Sequence, residues 1–115
     1  MNKLMITIVC AFLLLGCSNS KDKKMDEYIE SKHQKIVEYI KENEITVKDV
    51  VWSNTKTLSV GVIDDGTNRD GYAQYICEIV SSGGLSGFNI MVKVIDIQKL
   101  KQTDKWVTIG KSNCK

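Results

Sequence analysis

The feature that most constrains this chain is the apolar run Leu4–Leu15, which follows a single charged residue, Lys3. A permanent transmembrane helix needs about 20 apolar residues, so this run is too short to span a bilayer. A brief apolar core behind a positive charge is instead typical of a secretory signal peptide. Fewer than about 100 residues then remain for folding, which is enough for one small domain.

The run ends in Leu14-Leu15-Gly16-Cys17, where a small residue directly precedes a cysteine. This stretch resembles the lipobox of bacterial lipoproteins. The resemblance implies that residues 1–16 are a lipoprotein signal peptide and that Cys17 is the lipidated first residue of the mature chain. Several acyl chains on one cysteine make a stable membrane anchor.

Ser18 follows the cysteine of this motif. In the sorting pattern of Gram-negative lipoproteins, an aspartate at that position implies retention in the inner membrane. The resemblance therefore implies an anchor in the outer membrane, facing the periplasm. Residues 17–24 are then the lipidated cysteine and a short polar tether, and the polar stretch SNSKDKK reaches only about 25 Å when fully extended. We expect the folded domain to lie close to the membrane surface.

Two cysteines remain for pairing, Cys77 and Cys114, because Cys10 would leave with the signal peptide and Cys17 would be lipidated. The sequence has no CxxC spacing, and its one histidine, His33, is far from both cysteines. An even pair of cysteines in an exported chain favours a disulfide over a metal site. We expect a disulfide between Cys77 and Cys114, no metal and no cofactor.

The formal net charge is +2, with acidic and basic residues interspersed. Nucleic-acid-binding domains concentrate basic residues on one face, and this chain has no such excess. We therefore expect no nucleic-acid partner. Composition gives no indication of the oligomeric state.

Hydrophobic periodicity divides the rest of the chain into helices and strands. The predicted elements are a helix at 25–43, strands at 46–52 and 57–63, a helix at 68–82, a strand at 88–95, a short helical turn at 96–102 and a strand at 106–109. A strand, helix and strand in succession favour a parallel pair, whereas the first two strands form a hairpin. The pattern predicts an α+β fold for residues 25–115: a single domain with a small mixed sheet of three to four strands and two helices on one face.

The stretch DDGTNRDGYAQYIC, residues 64–77, is rich in carboxylate and amide oxygens. A calcium loop is one interpretation, but glycine occupies the third position and a tyrosine the twelfth, where ligands are needed. We favour a helix start in which Thr67 and Asp70 form a capping box. The charge density at this turn makes Asp65, Arg69 and Asp70 the candidate contacts for a partner.

Residue patterns for catalysis are weak in this chain. His33 falls beside the buried face of the first predicted helix, where it is interpreted as a packing residue. The disulfide would remove Cys77 as a nucleophile, and adjacent carboxylates on a turn usually diverge. We expect no enzyme activity; a small hydrolase is the alternative.

The sequence thus favours a membrane-anchored envelope lipoprotein that binds a protein or cell-wall partner close to the membrane. Two narrower interpretations remain open. One is an exclusion or immunity lipoprotein, and the other is an inhibitor of a cell-wall hydrolase.

Overall fold

A computed structural model describes residues 20–115, with side chains from Lys23 onwards. The chain divides into two units, residues 1–30 and residues 31–115. The described part of the first unit is helical, and the second unit contains the sheet. The elements are α1 (Ser20–Asn43), β1 (Asp49–Asn54), β2 (Thr57–Val62), α2 (Asp70–Val80), which continues into a π-helical segment (Ser81–Leu85), β3 (Met91–Asp96), α3 (Ile97–Thr103) and β4 (Thr108–Asn113). The predicted α+β class is confirmed.

The sheet has four strands in the order β1-β2-β3-β4. Strands β1 and β2 form an antiparallel hairpin around Thr55 and Lys56. Strand β3 runs parallel to β2 and antiparallel to β4, so the predicted mixed sheet is confirmed. Helix α2 supplies the crossover that a parallel pair requires.

Several strand boundaries differ from the prediction, and two of the differences have a local cause. Strand β1 begins at Asp49 and not at residue 46, because the Val47 N–H donates to the Glu44 carbonyl in a turn. Strand β3 begins at Met91, because Gly87 and Asn89 have φ values of 81° and 56°. A left-handed backbone cannot continue a strand. The last strand runs to Asn113, well beyond the predicted 109.

The hydrophobic core lies between one face of the sheet and the helices. Helix α1 contributes Ile36 and Ile40, which are almost fully buried. Helix α2 contributes the buried residues Ala73, Ile76, Cys77 and Val80. Their partners on the sheet are Val50, Leu58, Val60, Val62, Val92 and Val94. Two helices on one face of the sheet agree with the prediction.

The opposite face of the sheet is partly covered by α3. A Cβ atom built on Gly61 would lie 2.8 Å from Ile97 Cδ1, so this glycine allows the short helix to pack closely on the sheet. The helix is fixed at its start by Asp96, whose side chain accepts hydrogen bonds from the backbone N–H groups of Gln98 and Lys99. Side-chain oxygens at this position satisfy N–H groups that have no partner within the helix.

The carboxy-terminal end is joined to α2 by a disulfide between Cys77 and Cys114, whose Cα atoms are 5.0 Å apart. Both cysteines are buried. The Cys114 N–H donates to the Ile90 carbonyl, which places the cysteine just past the end of β4. The predicted pairing of these two cysteines is therefore present in the structure.

Candidate binding groove

A groove of about 480 Å³ lies between α1 and α2. We call it the interhelical groove. It is lined by Lys35, Ile36, Tyr39, Tyr75, Glu78, Ile79, Ser82 and Gly83. Sites for small ligands usually have volumes of about 300–1,000 Å³ and mostly apolar walls with a few polar groups, and this groove fits that description.

The two helices are antiparallel along the groove. At one end Ile36 packs on Gly83, since a Cβ on that glycine would lie 2.7 Å from Ile36 Cγ1. At the other end Glu44, just after α1, contacts Tyr72 and Tyr75 near the start of α2. The two contacts hold the helices at both ends, and the groove lies between them.

Glu44 accepts a hydrogen bond from each of two phenols. Tyr72 Oη donates to one carboxylate oxygen and Tyr75 Oη to the other, both at 2.9 Å. Burial, together with the hydrogen bond to Glu44, raises the pKa of Tyr72. The hydrogen bond to Glu44 is the main cause of the raised pKa of Tyr75. We call this arrangement the tyrosine clasp.

Large aromatic surfaces are exposed at the rim of the groove. Tyr39 is 51% exposed and Tyr75 is 45% exposed. The buried face of α2 includes Ile76 and Val80, which leaves Tyr75 at the edge of the core. Exposed aromatic side chains beside an apolar floor are common at interaction sites.

The charged residues of the groove are available to a ligand. Lys35 and Glu78 are both exposed, and they lie on different helices. The ion pair found between Arg69 and Asp65 involves neither of them, so within the described residues neither groove charge is neutralised by that salt bridge. The groove therefore offers one cation, one anion and an apolar floor.

The loop after β2 is organised by its own side-chain oxygens. Asp64 Oδ1 accepts from the Gly66 N–H at 2.9 Å, and Asn68 Oδ1 accepts from the Asp70 N–H at 2.7 Å. Asp65 accepts from both the backbone N–H and the hydroxyl of Thr67. These hydrogen bonds, chiefly the one from the hydroxyl, lower the pKa of Asp65.

The predicted capping box is wrong. The N-cap position of α2 is Arg69, without a side-chain hydrogen bond, and the Thr67 hydroxyl is bonded to Asp65. Asp65 captures this hydroxyl because the two residues lie in one tight turn, where such local bonds compete with helix caps. The expectation that Asp70 lies in the first turn of the helix is correct.

The three residues predicted to contact a partner lie together, but each makes internal contacts. The Arg69 guanidinium donates to the Ile63 carbonyl at 3.2 Å and lies 3.5 Å from the Asp65 carboxylate. Asp70 Oδ1 accepts from the Lys111 N–H at 2.9 Å. They connect the loop to the edge of the sheet, so binding a partner would have to compete with these bonds.

His33 stacks on Trp52, with ring centroids 3.7 Å apart and planes inclined by 11°. The Trp52 indole N–H donates to the His33 carbonyl oxygen at 3.1 Å. This arrangement packs α1 against β1 and supports the packing interpretation of the histidine. Within residues 20–115 there is no group of three or more His, Cys, Asp or Glu side chains suited to a metal.

Comparison with known protein families, curated proteins and solved structures finds no match. Cys17 and the signal segment lie outside the described residues. In residues 20–115, no helix has both the length and the apolar character needed to cross a membrane.

Sequence patterns did not predict the interhelical groove. Its charged and aromatic residues stand at ordinary exposed positions of two helices that are far apart in the chain. A usable signal was the pair of tyrosines, Tyr39 and Tyr75, one on each helix.

Proposed function

We propose that this protein is a lipid-anchored envelope lipoprotein, without catalytic activity, that binds a protein or cell-wall partner close to the membrane. The observation that carries the proposal is Leu14-Leu15-Gly16-Cys17 at the end of a short apolar run. Lipidation at Cys17 would fix the chain to the membrane, and Ser18 favours the outer membrane facing the periplasm.

The start of α1 supports a position near the membrane. Residues 20–24, inside the predicted tether, are helical. A helix advances about 1.5 Å per residue, less than half the advance of an extended chain. The helical part of residues 17–24 therefore shortens the reach of the tether.

Two surfaces are candidates for the partner. The interhelical groove has an apolar floor, exposed aromatic residues and charges that are not paired among the described residues. The loop with Asp65, Arg69 and Asp70 carries charge, but its charges are engaged within the protein. The groove is therefore the better candidate for the contact surface, because a partner would not have to break existing bonds.

The anchor is tested by cell fractionation of the full chain with Cys17→Ala, and with Cys10→Ala as the matched control. The first variant should leave the membrane fraction and lose labelling by a radioactive fatty acid, whereas the second should retain both. Membrane retention and labelling of Cys17→Ala would show that the motif is not a lipobox.

The binding role is tested by crosslinking and affinity capture from the envelope. Tyr39→Ala should reduce recovery of the partner, whereas Asp65→Lys should change it little if the groove is the contact surface. The opposite result would assign the contact to the loop.

A further inference from the structure

The two charged groups of the interhelical groove lie at different points along its length. Ile36 packs on Gly83, and Lys35 is its neighbour in α1. Glu78 lies closer to Tyr75 and the tyrosine clasp, toward the other end of the groove. Counted from the contact of Glu44 with Tyr75, Lys35 lies nine residues back along α1 and Glu78 three residues along α2, so in antiparallel packing their Cα atoms are offset by roughly six residues of α-helix, or about 9 Å along the axis.

A ligand that fits this spacing has a negative and a positive group about 9 Å apart. The free ends of a tripeptide meet this requirement, because three extended residues span about 10 Å. Its α-carboxylate can pair with the Lys35 ammonium, and its α-ammonium can pair with the Glu78 carboxylate. A peptide that binds in this orientation satisfies both charges at once.

The floor and rim of the groove indicate the side chains of such a ligand. Ile36 is 2% exposed and Ile79 is half-buried, so the floor between the charges is apolar. The rings of Tyr39 and Tyr75 stand at the rim, where they would cover an apolar side chain. A volume of about 480 Å³ is in the range of pockets for small ligands.

We propose that the interhelical groove binds a short peptide with free termini and apolar side chains, with its carboxylate on Lys35 and its amino group on Glu78. This inference rests on the proposed function, because it gives the binding role a ligand class and a site. It requires no chemical change of the peptide.

The probes are free trileucine, N-acetyl-trileucine, which lacks the ammonium group, and trileucine amide, which lacks the carboxylate. Binding to the full chain in lipid nanodiscs is measured by titration calorimetry, with empty nanodiscs as the control for partitioning. Free trileucine should bind most tightly, and each blocked peptide should bind about threefold to fivefold more weakly, as expected for partly exposed charge pairs.

Two variants assign the orientation. Lys35→Gln should weaken free trileucine about threefold to fivefold but leave trileucine amide unchanged, since that peptide has no carboxylate to lose. Glu78→Gln should weaken free trileucine but leave N-acetyl-trileucine unchanged. A merely structural role of either residue would weaken all three peptides together, and that result would overturn the proposal.

Two further results would overturn it. One is the absence of trileucine binding. The other is a groove that is closed by a second copy of the chain. That state would be observed as concentration-dependent dimerisation that Tyr39→Ala abolishes. These failures are distinct from failure of the proposed function, because membrane fractionation of Cys17→Ala and capture of an envelope partner do not depend on the peptide.

Discussion

Gly110 on β4 and the backbone of Arg69 are in direct contact. A Cβ atom at position 110 would overlap the Arg69 carbonyl group and would lie 2.6 Å from the Cβ atom of Arg69. The contact is part of a short ladder in which the Arg69 N–H donates to the Ile109 carbonyl at 3.0 Å. The chain leading into α2 thus covers the outer edge of the sheet, where exposed N–H and C=O groups would otherwise invite association.

Gly110→Ala should destabilise the fold, because the added methyl group can be accommodated only by moving backbone. We expect a loss of about 1–3 kcal/mol in the free energy of unfolding, measured by urea denaturation. The control is Gly71→Ala in α2, where a Cβ meets nothing within 4 Å. That change should stabilise the protein by up to about 1 kcal/mol, because alanine is the better helix former. If both substitutions changed the free energy of unfolding equally, the contact of Gly110 with Arg69 would be contradicted.

Glu44→Gln should weaken the packing of α1 on α2. The carboxylate accepts hydrogen bonds from two phenols, one on each oxygen, whereas the neutral amide has only one acceptor oxygen. For the half-buried bond to Tyr72 we expect a loss of about 1 kcal/mol in the free energy of unfolding. Glu42→Gln, at an exposed position near the end of α1, is the control and should change stability little. The measurement is urea denaturation. An unaltered midpoint of unfolding for Glu44→Gln would show that the tyrosine clasp does not contribute to stability.

Stability should fall at alkaline pH through the tyrosine clasp. The pKa values of Tyr72 and Tyr75 are raised above their ordinary value of 10.0, so folding favours the protonated phenols. Their contribution is complete below pH 10 and is lost as the pH rises through the higher pKa values of the folded protein. Ultraviolet titration of phenolate formation should show these two tyrosines ionising late. In Glu44→Gln they should ionise earlier, and unchanged titration of that variant would contradict the assignment.

Removal of the disulfide should cost a large part of the stability. The bridge joins residues separated by 37 positions, so the chain-entropy treatment gives about 4 kcal/mol. The double variant Cys77→Ala/Cys114→Ala should therefore unfold at much lower urea concentration than the native chain. Addition of a reductant should destabilise the native chain but leave the double variant unaffected. A reductant that acts equally on both would show that the bridge is not the cause.

Ser18→Asp should move the protein to the inner membrane if the chain is sorted as Gram-negative lipoproteins are. Ser18→Thr is the control and should keep the native location. The measurement is separation of the two membranes by density, followed by immunodetection. Outer-membrane location of the aspartate variant would contradict this part of the proposal.

The amino-acid sequence by itself determined the order and type of the elements. Helical periodicity around Ile36 and Ile40 and strand alternation at Leu58, Val60 and Val62 are local consequences of which side chains must be buried. The pairing of Cys77 with Cys114 also followed from the sequence, under the prediction that Cys10 leaves with the signal peptide and Cys17 is lipidated.

Only the tertiary structure decided the details of the site. Thr67 bonds Asp65 and does not cap α2, whose N-cap residue, Arg69, lies against Gly110 on a distant strand. Tyr75 lies at the edge of the buried face of α2, where Glu44, just after α1, accepts a hydrogen bond from its hydroxyl. The interhelical groove exists because two helices distant in sequence pack at both ends, and local patterns contain no information on such long-range packing.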